Sequence, residues 1–134
     1  MSRNVNEVLV PVSIGEMLDK ITILRIKSAR ITDPAKLQNI QAELHALNAV
    51  WRGIDPERAE VNAAIEQLKA INEALWVIED DIRDKERAGE FDARFIELAR
   101  AVYVTNDERA RVKRVLNTLL GSAYVEEKSY ADYR

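Results

Sequence analysis

An all-α fold is predicted by three features of this 134-residue sequence. Between Pro56 and Ala88 the chain has no internal Gly or Pro, and Ala64, Leu68, Ile71, Leu75, Ile78 and Ile82 recur in steps of four and three. That spacing is a helical seam. Only 4 Gly and 3 Pro accompany 32% charged residues, a composition that favours helices. The single β-like stretch, Val8-Leu9-Val10-Pro11-Val12, contains a proline that cannot donate to a ladder. Three arrangements suit it: an edge strand paired with Ala123–Val125, the same strand of a second subunit, or no strand at all. The last, an extended segment lying across helices, is the preferred expectation.

Ser13 followed by Glu16 forms the pattern of a capping box, so the first helix is expected over 14–30. Ile14, Met17, Leu18, Ile21 and Leu24 make one stripe, and Ile23 and Ile26 another, which predicts a central helix. Asp33-Pro34 ends this helix and begins the next, with Asp33 as N-cap and Pro34 at the first helical position. Leu37, Ile40, Leu44, Leu47 and Trp51 form its seam over 34–52, and Gly53 fits the position after its end. Asp55-Pro56 repeats the start signal for a third helix over 56–88, about 50 Å long. Its middle, Ala74-Leu75-Trp76-Val77-Ile78, is apolar at every position, which predicts cover from several sides. Gly89 closes it. Asp92 caps a fourth helix over 92–120, with Phe91 placed to staple onto Ile96 and Gly121 as its stop. The short connection makes the third and fourth helices antiparallel, and facing positions then set Asn72 opposite Arg109. The expected architecture is a short hairpin (14–30/34–52) and a long hairpin (56–88/92–120) in one bundle. An extended N-terminal segment and a C-terminal tail complete a single helical domain over 1–134. Three tyrosines in the aperiodic tail suggest that it docks on the body or on a partner.

Composition excludes several functions. Lys and Arg number 20 against 23 Asp and Glu, a net charge of −3 that argues against nucleic-acid binding. No cysteine is present, so disulfides, thiolate metal sites and a cysteine nucleophile are absent together. The one histidine, His45, falls off the seam of the second helix and reads as exposed and inert; no histidine-based triad or metal site is available. There is no phosphate-loop motif, no apolar run near the ~20 residues that span a bilayer, and no signal-peptide pattern, so a cytoplasmic protein without a cofactor is expected. The run Glu79-Asp80-Asp81 offers oxygen ligands for a hard cation, yet Glu79 and Asp81 can pair with Arg83 and Lys85 four residues on. No catalytic residue and no metal site is assigned.

Polar breaks in the apolar seams are the leading candidates for a site. Arg109 interrupts the seam of the fourth helix, and Lys113 follows four residues later, a like-charge pair that needs acid nearby. Asn72 and Glu79 lie beside the seam of the third helix, Asn106 precedes Arg109 by three, and the first helix offers Glu16 and Asp19. Two readings follow. Arg109 and Lys113, with Asn72, Asn106, Glu79 and Asp19, could bind an anionic ligand between helices. Alternatively they form a buried ion-pair network that fixes the register of the bundle.

The string Pro11-Val12-Ser13-Ile14-Gly15-Glu16, followed by Asp19-Lys20-Ile21-Thr22-Ile23-Leu24, resembles the opening of a family of short bacterial proteins of unknown function. The similarity continues through Asn72, Leu75-Trp76, Ile78-Glu79-Asp80, Ile82-Arg83, Asn106-Asp107, Arg109 and Glu126-Glu127-Lys128-Ser129-Tyr130. Members are often encoded near glycosyltransferase and surface-polysaccharide genes. The resemblance therefore implies a cytoplasmic accessory role and supplies no catalytic residues. Two functional classes remain: a non-enzymatic interaction or assembly module, and a small enzyme or binding protein with an anion pocket. The exposed-apolar problem at the middle of the third helix predicts a homodimer, with another protein as a further possible partner.

Overall fold

A computed structural model describes residues 6–133. It contains four helices: α1 (Ile14–Arg30), α2 (Pro34–Arg52), α3 (Ala59–Ala88) and α4 (Ala93–Leu120). They form the two antiparallel hairpins expected, α1 with α2 and α3 with α4. No strand occurs among the described residues.

Most boundaries follow local chemistry. Asp33 Oδ2 accepts from the Lys36 N–H at 3.0 Å, and Asp92 Oδ1 from the Phe95 N–H at 3.0 Å, so both aspartates cap as their positions dictate. Gly89 and Gly121 end α3 and α4 in the left-handed conformation that a side chain resists. Gly53 instead ends α2 in a right-handed turn.

The start of α3 departs from expectation. Asp55 Oδ1 accepts from the Glu57 N–H at 2.8 Å, and Glu57 adopts a positive φ of 55°. Asp55 therefore closes a local turn instead of capping a helix, and α3 begins only at Ala59, behind Arg58, which gives no side-chain cap. Phe91 likewise packs edge to face on Phe95, with ring centroids 5.1 Å apart, and both it and Ile96 stay exposed.

α1 is the hub. It packs against α2, α3 and α4, whereas α2 touches α1 alone. The core joins Met17, Leu18 and Ile21 of α1 to Val61, Ala64, Ile65 and Leu68 of α3 and Val112 and Leu116 of α4. Leu44, Leu47 and Trp51 of α2 pack at its edge. All of this lies in the first half of α3 and the second half of α4.

The apolar middle of α3 is not covered from several sides. Ala74 and Val77 are exposed, and Leu75, Trp76 and Ile78 are only half-buried. α1 ends nearby, with the Arg30 guanidinium 5.8 Å from the Trp76 ring centre. Beyond that point no third helix lies on α3 and α4, and Leu98 is the one buried side chain of α4 before Val112. The Val8–Val12 segment forms neither helix nor strand, and its side chains are exposed instead of lying on helices.

Candidate functional site

The N-terminus of α1 is pressed against the C-terminal third of α4. Gly15 permits it: a Cβ there would lie 2.5 Å from the Lys113 carbonyl oxygen, a backbone atom that cannot swing aside. The first backbone donors of α1 are all used. Ile14 N–H donates to Ser122 Oγ (3.1 Å), Gly15 N–H to Asn117 Oδ1 (2.7 Å), Glu16 N–H to Ser13 Oγ (3.1 Å) and Met17 N–H to the Ser13 carbonyl (3.2 Å). A helix start with every donor satisfied has no amide left for an external anion.

Only half of the Ser13–Glu16 capping box forms. The Glu16 carboxylate turns to Lys113 instead, with Oε2 accepting from Nζ at 2.6 Å. Lys113 Nζ also donates to Glu126 Oε2 of the tail at 2.7 Å. The Lys113 side chain is buried, and that desolvation works against its charge. The hydrogen bonds to Glu126 and Glu16 outweigh it and hold the ammonium above its ordinary pKa. The same contact with Lys113 holds the Glu126 carboxyl below the usual carboxylate range.

One turn further along, Asp19 is almost wholly buried and accepts a fork from Arg109: Nε to Oδ1 at 2.9 Å and Nη2 to Oδ2 at 2.5 Å. Asn72 Nδ2 donates to the same Oδ1 at 2.9 Å and to Thr22 Oγ1 at 3.0 Å, and the Thr22 hydroxyl donates to the Asp19 carbonyl at 2.7 Å. Asn106 Oδ1 accepts a long 3.4 Å contact from Arg109 Nη1. The Asp19 contact, followed by the fields of Glu16 and Glu126, raises the Arg109 pKa further. Among the described residues no buried side-chain polar atom lacks a partner.

Of the sequence candidates, Asp19, Asn72, Asn106, Arg109 and Lys113 thus converge on the α1–α3–α4 junction. Glu79 does not join them; it pairs with Arg83 on the exposed flank at 3.2 Å. Asp81 lies 3.8 Å from Arg94 instead of pairing with Lys85, whose ammonium turns to Glu90 and Asp92 at 2.9 and 2.8 Å. Glu126, Asn117 and Ser122 complete the junction without having been singled out from the sequence. Gly15 gave a signal, as a glycine in the first turn of an otherwise good helix, but the tail has no periodicity from which to place Glu126.

The junction is matched internally. Asp19, Glu16 and Glu126 surround Arg109 and Lys113, so both cations already face carboxylates of their own chain. Asp19 accepts three donors, two from Arg109 and one from Asn72. No group of three or more His, Cys, Asp or Glu among the described residues could hold a metal ion, and no helix there is long and apolar enough to cross a membrane.

A helical bundle tied at one end by an internal charge network is the class of protein that this geometry defines. The chain belongs to a family of unknown function (DUF6165), whose family model matches residues 8–133. No curated protein and no solved structure matches it.

Proposed function

We propose that this protein is a non-catalytic interaction module that self-associates through the distal half of the α3–α4 hairpin. The observation that supports this most directly is the uncovered apolar surface there. Val77 is 46% exposed and Ile96 56%, Phe91 and Tyr103 are also exposed, and Trp76 is half-buried. A second copy laid along this hairpin would supply the neighbours that α1 and α2 are too short to provide. The internal pairing of Arg109 and Lys113 supports the same reading, because a charge network closed on itself serves register more readily than ligand capture. The setting implied by the sequence resemblance, a bacterial cytoplasmic accessory of surface-polysaccharide synthesis, is part of the proposal.

Sedimentation velocity over a range of concentrations tests it. The wild-type chain is expected to sediment as a dimer, and a V77D/I96D double variant as a folded monomer with an unchanged helical circular-dichroism spectrum. A wild-type monomer at all concentrations would overturn the proposal, as would a variant that remains dimeric.

A further inference from the structure

The C-terminal tail borders a half-open groove that the interaction reading does not use. After Gly121 the chain turns back and runs along α4 in the opposite direction. One end is fixed by Glu126 on Lys113, with Glu127 3.7 Å from Arg114. The other is fixed by Tyr133, whose hydroxyl donates to Asp107 Oδ2 at 2.6 Å and whose ring meets Tyr103 edge to face at 4.9 Å. Between these anchors the tail stands off the helix and leaves a space of about 890 Å³. That is the size of a site for a nucleotide or a comparable organic molecule.

The walls have two chemistries. Val102, Ala110, Tyr103 and Tyr130 supply apolar and aromatic surface. Arg111, Lys113, Arg114 and Lys128 bring positive charge, set against the carboxylates of Asp107, Glu126 and Asp132 on the same walls. The present partners of Arg111, Arg114 and Lys128 are weak ones: Arg114 and Lys128 reach carboxylates only at 3.7 and 3.8 Å, and Arg111 pairs with Glu108 on the exposed surface of the same helix. Lys113, by contrast, is held between Glu16 and Glu126 and anchors the wall. Lys128 also sits 5.6 Å from the Tyr130 ring centre, which places a cation beside the most exposed aromatic face of the tail (Tyr130 is 81% exposed). A ring can stack on Tyr130 while an attached anion displaces Glu127 from Arg114 and approaches Lys128, whose contact with Glu126 is 3.8 Å long.

From this geometry we infer that the space between α4 and the C-terminal tail is a binding site for a ring-bearing organic anion of nucleotide size, phosphate or carboxylate. The ring lies on Tyr130, the anion between Lys128 and Arg114, and the tail forms the outer wall.

The test is titration of the full-length, ¹⁵N-labelled protein with adenosine 5′-monophosphate, with 4-hydroxyphenylacetate, and with inorganic phosphate as the anion without a ring. The expected result is saturable movement of the amide signals of Asn106, Ala110, Lys128 and Tyr130 with at least one ring-bearing probe, the probe that binds naming phosphate or carboxylate. Inorganic phosphate should bind at least tenfold more weakly. Tyr130→Ala and Lys128→Ala, both at exposed positions where the fold is not at stake, should each weaken that binding about fivefold or more, as loss of one stacked ring does. Absence of saturable shifts with both ring-bearing probes at millimolar concentration, an equal response to inorganic phosphate, or full binding by both variants would overturn the inference.

Discussion

The two halves of the α3–α4 hairpin carry the same alternating seam and sit in different surroundings. In the proximal half, Val61, Ala64, Ile65 and Leu68 face Val112 and Leu116 with α1 lying across both helices, and all six are buried. In the distal half, Leu75, Ile78 and Ile82 of α3 and Phe95 and Val102 of α4 are only half-buried, and Leu98 alone is buried. Side-chain chemistry barely differs between the halves. What differs is the third helix. A two-helix contact leaves each seam open along its edges, and a third helix laid in the groove closes it along its length. α1 ends at Arg30, beside Trp76, so closure stops there. A periodic seam thus shows which residues face a neighbour without showing how many neighbours there are.

Breaking the proximal half should cost most. Leu68→Ala, at a fully buried position, should lower stability by about 3 kcal/mol, within the usual range for a large-to-small core change. Ile78→Ala, at the matching distal position, should cost less than half of that in a denaturant titration. Equal losses would mean that the halves are equally packed.

Arg109→Met tests the charge network against an anion site. Removing the guanidinium leaves the Asp19 carboxylate buried without its cation, so a loss of about 3 kcal/mol is expected, at the low end for such pairs because Arg109 is partly exposed. Arg83→Met, which removes a distal surface pair, should change stability by less than ~0.5 kcal/mol. Unchanged or increased stability in Arg109→Met would contradict the network role. Gly15→Ala forces α1 off α4 and should cost about 1–3 kcal/mol, since the obstructing atom is backbone. A neutral result would place the α1–α4 contact elsewhere.

The smallest effect concerns the tail. The Glu126 carboxyl is held low by Lys113, so its folded-state pKa lies below its unfolded one near ~4.3. Its contribution is present above that value and fades as pH falls through the folded pKa. The Lys113 ammonium is held high, so its contribution is complete below ~10.4 and fades as pH rises through the folded value. Amide signals of residues 124–133 should therefore change on acidification below about pH 4, before the signals of Leu18 and Leu68 report global unfolding. A single transition shared by tail and core would contradict a separately latched tail.

The helix bounds were legible because caps and stops act locally: Ser13, Asp33, Asp92, Gly89 and Gly121 each need only their immediate neighbours. Asp55-Pro56 shows the limit of such signals. The same aspartate oxygen can accept from an amide that opens a helix or from one that closes a turn, and here Glu57 takes it. The facing of Asn72 and Arg109 across the long hairpin was legible from antiparallel register. Their meeting point, Asp19, depends on how α1 lies across both helices, which no single seam encodes. Glu126 depends on the path of an aperiodic tail, so its place in the resemblance motif did not show what it touches.

Native-state hydrogen exchange along α3, measured at two protein concentrations, tests most directly the claim that a closed proximal core adjoins an open distal hairpin used for self-association. Amides around Ala64–Asn72 should approach the protection of global unfolding at both concentrations. Those of Ala74–Ile82 should exchange faster at low concentration and gain protection at high concentration. Uniform protection along α3, independent of concentration, would contradict the account.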